Sequence, residues 1–235
     1  MKWFLLLYLS TLALLPAKTI EVFVALCDNK TQGIVPVGAK IGNGDDAPNN
    51  LYWGCSDGMS RYFKKSKKWK LLSSTNPDKT YLIETLEFQH IGTDTRLTAH
   101  AYRGSEMKKC LEDYFAALQS GGPDKLVAFI GHNGLMDTSP TLPEQTKTAK
   151  KQTPTIVLCC ISDRYFAPHF QRYQANPLLL TSQLMYPGSF ILHDAIEVWL
   201  KNGKPDDYLQ AAAAAYAKNQ KISTKAAKTI FSLGL

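Results

Sequence analysis

Four short apolar runs decide what this chain can fold into: TIEVFVAL at 19–26, LVAFI at 126–130, TIVLC at 155–159 and PLLLT at 177–181. Runs of this length, rich in Val, Ile and Leu, read as strands. Those without polar interruption read as strands buried on both faces. Between and after them lie helical stretches. One spans Glu106 to Gln119, with Ser105 as its expected N-cap and Gly121-Gly122-Pro123 as its stop. Others span Pro168 to Gln174 and Ser189 to Lys201, and one or two Ala-rich helices finish the chain. A further helix is expected over Leu51 to Lys65. Shorter strands are expected at Trp69 to Ser73, Tyr81 to His90 and Arg96 to Tyr102, with a turn at Asn76-Pro77-Asp78. Residues 30–50 and 137–153 are polar connections. Strands alternating with helices predict an α/β fold, a three-layer sandwich around a mostly parallel sheet.

The 235 residues suit a single domain, expected over residues 18–235. Ahead of it, Lys2 and the apolar stretch Trp3 to Ala17 have the form of a secretory signal peptide, predicting cleavage near Ala17 and an exported, periplasmic or secreted product. No membrane association is expected once that segment leaves. The net charge of +7 is concentrated at Lys64-Lys65-Ser66-Lys67-Lys68 and at Lys147 to Lys151. Neither cluster is interleaved with aromatics along one face, so a solvated helix end explains the first better than nucleic-acid binding. There are five cysteines, Cys27, Cys55, Cys110, Cys159 and Cys160. An odd count in an exported chain leaves at least one thiol free or paired between chains. The sequence does not specify the oligomeric state.

In open parallel sheets, ligands bind beyond the carboxyl ends of the strands. That rule selects Asp28 after the first run, His132 and Asn133 after LVAFI, Cys160 and Asp163 after TIVL, and Ser182 and Gln183 after PLLLT. A histidine and a cysteine therefore end two consecutive strands. An imidazole beside a thiol can take its proton and make it a nucleophile. Backbone N–H groups near Asn133 and Cys160 can stabilise an oxyanion. Asp28 and Asp163 are candidates to orient His132 or to line a substrate pocket, or else are solvated loop carboxylates. Ser182 and Gln183 are candidates for substrate contact. Core packing, a redox pair and metal ligation remain open for Cys159 and Cys160.

The runs LVAFI-Gly131-His132 and TIVL-Cys159-Cys160 resemble the clan CD cysteine peptidases, which include caspases, legumains, gingipains and clostripain. These place a catalytic histidine, usually followed by Gly, and a cysteine at the ends of successive strands. The resemblance implies a caspase-like fold, His132 as acid-base, Cys160 as nucleophile, Cys159 packed inward and a peptide or protein substrate, without a cofactor. Two positions depart from the pattern. Asn133 stands where the family carries Gly. Leu158 stands where members selective for basic residues carry an acid. The chain as a whole is also similar to exported bacterial proteins.

Two other readings accompany the hydrolase: a non-catalytic binding protein of the same fold, which Asn133 favours, and a thiol-redox protein using Cys159 and Cys160. Alternating strand geometry points those two thiols to opposite faces, against a disulfide between them. Zinc held by Cys159, Cys160, His132 and His169 lacks the usual ligand spacing. Gly42-Asn43-Gly44-Asp45-Asp46-Ala47 matches G-x-G-x-x-A, but Pro48-Asn49-Asn50 follows, so no helix begins there to meet a pyrophosphate. The oxygen-rich side chains of that loop can suit Ca²⁺, but without EF-hand spacing. His100 and His193 are expected to be structural.

Overall fold

A computed structural model describes residues 17–77, 79–144 and 152–234. The signal-peptide segment up to residue 16, Asp78 of the expected turn and the lysine cluster at 147–151 lie outside the described residues. One eight-stranded sheet forms the middle layer, in the order β2-β3-β4-β1-β5-β6-β7-β8. Its strands are β1 (Thr19–Ala25), β2 (Trp69–Thr75), β3 (Leu82–His90), β4 (Arg96–Tyr102), β5 (Lys125–Ile130), β6 (Thr153–Leu158), β7 (Ala175–Thr181) and β8 (Phe231–Ser232). The five central strands from β4 to β7 run parallel; β3 and β8 run antiparallel to them on either side, and the edge strand β2 pairs antiparallel with β3.

Strand alternation sorts the apolar side chains onto two faces. Val22, Val24, Leu126, Ala128, Ile130, Ile156 and Leu158 join one buried cluster. It is covered by α1 (Met59–Lys65), α4 (Ser189–Leu200), α5 (Pro205–Gln220) and α6 (Thr224–Lys228). Phe23, Ala25, Val127, Phe129, Val157 and Cys159 join the other, beneath α2 (Met107–Ser120) and α3 (Ser162–Tyr173). The three layers expected from the apolar runs are therefore present. α2 shows how pattern becomes packing: Met107, Cys110, Leu111, Tyr114, Phe115 and Leu118 repeat at three- and four-residue intervals and are all buried.

Several boundaries differ from expectation. The helix expected from Leu51 begins only at Met59, because residues 51–58 form tight turns. The backbone there is crowded: a Cβ on Gly54 would lie 2.0 Å from the Pro48 carbonyl oxygen. Ser105 is not an N-cap but part of a 3₁₀ turn, Gly104–Glu106, ahead of α2. α3 starts at Ser162 rather than Pro168, and Pro168 lies within it on an exposed face. Water can satisfy the carbonyl that a proline leaves without a partner there. β7 begins at Ala175, and β8 was not expected. Among the described residues no helix is long and apolar enough to cross a membrane.

Candidate active site

The parallel strands β1, β5 and β6 deliver their carboxyl ends to one rim of the sheet, and a cleft of about 440 Å³ opens there. Its lining includes Gly131 and His132 after β5, Cys160 after β6, Ile34, Leu51 and Tyr52 from the long β1–α1 connection, and Leu184 to Pro187 after β7. Asn50 holds that connection in place. It is fully buried, and its Oδ1 accepts from the N–H groups of Cys27 (2.9 Å) and Tyr52 (3.1 Å). Its Nδ2 donates to the carbonyls of Cys27 and Asn43.

His132 sits on a turn that Gly131 makes possible. Gly131 has φ +140°, which an L side chain rarely adopts, and the Tyr52 ring packs close to where its Cβ would be. His132 is buried, and its Nε2 hydrogen-bonds Oδ2 of Asp137 at 2.5 Å. A 3₁₀ turn, Gly134–Met136, returns the chain so that Asp137 faces His132. With the carboxylate accepting from Nε2–H, the neutral imidazole keeps its lone pair on Nδ1, the nitrogen a general base needs. The same Oδ2 accepts from the Gly33 N–H at 2.7 Å, tying the cleft wall to the histidine.

Cys160 is half-buried and its Sγ–H donates to the Met185 carbonyl at 3.7 Å. Next to it Ile161 has φ +50°, a conformation that costs a β-branched residue steric strain. The strained turn is latched from below. Ser162 Oγ donates to the Val157 carbonyl and hydrogen-bonds Thr181 Oγ1, which donates to the Cys159 carbonyl. Ser162 and Thr181 are fully buried. Asn133, also fully buried, donates from Nδ2 to the Cys160 carbonyl at 2.6 Å and accepts from Leu135 N–H at 3.1 Å. It clamps the two loop ends together, a contact that a glycine at this position cannot make.

All five cysteines are free. Burial pushes the Cys159 and Cys110 thiols well above their ordinary pKa. Burial likewise raises Cys27 to about 11. Burial also raises the Tyr52 phenol pKa, with the Cys27 and Cys160 thiols close enough to add to the shift. Cys159 belongs to the core beneath α2 and α3, whereas Cys160 faces the cleft.

Of the residues selected from the sequence, the fold brings His132 and Cys160 to one cleft, joined by Asn133. Asp28, Asp163, Ser182 and Gln183 are not among the residues lining it. Asp28 accepts from Lys30 N–H and Thr31 Oγ within its own turn. Asp163 accepts from Ser232 Oγ at 3.3 Å. Ser182 and Gln183 donate to the Thr229 carbonyl and so anchor the segment leading into β8. Asp137, not Asp28 or Asp163, is the carboxylate that orients His132. His100 and His193 form structural contacts, with Glu21 and Ser66 respectively. His169 packs on Phe115, 5.3 Å between ring centroids. In the glycine-rich loop, Asp45 pairs with Arg103 and Asp46 with Asn49, and only a three-residue 3₁₀ turn follows. Among the described residues no group of three His, Cys, Asp or Glu side chains can hold a metal ion.

No family model matches the chain, and neither a curated protein nor a solved structure shows significant similarity to it.

Proposed function

We propose that this protein is an exported cysteine-dependent hydrolase of caspase-like fold, acting on peptide or protein substrates. The observation that carries the reading is the shared cleft of His132 and Cys160, with His132 held by Asp137. Cys160 passes its proton to His132 Nδ1 as its sulfur attacks the substrate carbonyl, and the C=O electron pair moves to oxygen. Collapse of that intermediate expels the amine, which takes the proton from His132. Water, deprotonated by the same imidazole, then hydrolyses the thioester and restores the thiol. Among the described residues the N–H groups of Asn133 and Cys160 donate to no protein acceptor, so both are free to serve an oxyanion. The Cys160 S–H points to the Met185 carbonyl and must rotate to reach the imidazole. Catalytic hydrogen bonds often tighten only when substrate is bound.

The Met185 contact also favours a second reading, a binding protein that keeps the fold but leaves the thiol idle. The pH dependence of Cys160 alkylation, read by peptide mass spectrometry, separates the two. The hydrolase reading expects reaction well below the ~8.5 pKa of a free thiol and a shift to higher pH in His132→Ala. Alkylation that ignores His132 leaves the binding protein.

A further inference from the structure

The chemistry of the cleft walls narrows what Cys160 can act on. Among the described residues lining the cleft, apart from the imidazole, none is ordinarily charged at neutral pH; there is no Asp, Glu, Lys or Arg. Its apolar lining includes Ile34, Val35, Leu51, Met136, Leu184 and Met185. Three of these stay open to solvent, Val35 at 87%, Leu184 at 71% and Met136 at 42%. They are three of the seven large apolar residues exposed among the described residues, and they gather around one opening. Isolated exposed apolar side chains are ordinary, but a rim of them beside a thiol and an imidazole is a binding surface. The carboxylate behind His132, Asp137, is already taken up by His132 and the Gly33 N–H. A charged side chain entering the cleft would lose water and find no partner.

We infer that the residue on the acyl side of the bond cleaved by Cys160 is large, apolar and uncharged, seated between the Ile34–Val35 wall and the Leu184–Met185 wall. The inference rests on the hydrolase reading for the bond cleaved, but the apolar subsite can be tested without it. Peptidyl chloromethyl ketones that differ only in the terminal Leu, Phe, Asp or Lys serve as reagents. The Cys160 sulfur forms a bond to the methylene carbon, chloride leaves with the electron pair, and the thiol proton passes to solvent. Labelling of Cys160 by the Leu and Phe reagents is expected to be roughly tenfold or more faster than by the Asp and Lys reagents. In Leu184→Glu, at the exposed rim, the Lys reagent should gain on the Leu reagent. Equal labelling by all four, or a preference for a charged one, overturns the inference and leaves the hydrolase reading standing. If no reagent labels Cys160, the hydrolase reading fails. Binding of the matching peptide amides to Cys160→Ala, followed by calorimetry, then decides the subsite. Tighter binding of the Leu and Phe amides supports it, and its absence overturns it.

Discussion

Asp137 is the residue that changes the chemistry of its neighbours most. Its carboxylate accepts from His132 Nε2 and from Gly33 N–H on one oxygen, so it sets both tautomer and wall. In Asp137→Asn the amide can donate to Nε2 and leave the proton on Nδ1, the wrong nitrogen for a base. Cys160 alkylation at neutral pH is expected to slow by about 10²-fold, while stability changes by about 1 kcal/mol or less. Parallel mass-spectrometric labelling and denaturant unfolding check both halves. His132 and Cys160 were legible because strand ends are where a parallel sheet presents its ligands. Asp137 was not, because in sequence it is one more polar residue opening a polar connection. Only the 3₁₀ turn Gly134–Met136 brings it back to the imidazole. Asn133 was legible as a position, but its side-chain clamp on the Cys160 carbonyl depends on β5 and β6 being paired.

At the level of elements, the turn from β6 into α3 joins the thiol to the fold. Ile161 holds φ +50° there, and Gln183 accepts its N–H at 3.0 Å. Strain of this kind persists only where the surroundings over-determine it, and the Ser162–Thr181 latch supplies that constraint. Glycine adopts this φ freely, so Ile161→Gly is expected to hold stability or raise it by about 1 kcal/mol and to slow Cys160 labelling as the turn loosens. Chemical denaturation that instead shows a loss beyond about 2 kcal/mol would mean the Ile161 side chain packs more than it strains. The apolar strands read correctly because burial on both faces leaves an unbroken signature. The start of α3 did not. Ser162-Asp163-Arg164 is polar, and Pro168 carries the marks of a first turn although the helix tolerates it on its exposed side. Gly54 and Gly58 give the reason residues 51–58 wind into turns, but their crowding is a tertiary fact.

For the molecule as a whole, the two ends of the sheet do different work. The rim opposite the cleft carries a charge network in which Glu21 meets His100 at 3.2 Å and Lys125 at 2.6 Å. Burial opposes the Glu21 charge, but hydrogen bonds from His100 and Lys125, with their positive charges, outweigh it and hold the carboxyl down to about 2. A carboxylate held lower in the folded state than its ordinary 4.5 stabilises above that value, and the contribution is lost as pH falls from about 4.5 to about 2. Glu21→Gln should therefore flatten the stability curve over that interval, as measured by denaturant titrations at stepped pH. The layered architecture was legible because alternating strands and helices admit few arrangements. The order that puts β1 at the centre and β8 at an edge was not, since it rests on pairings between distant segments. One small contact ties the cleft to its own reactivity. Because a single Asp137 oxygen holds both the Gly33 backbone and the imidazole, a substitution that shifts the wall at Gly33 also disturbs the register of the imidazole.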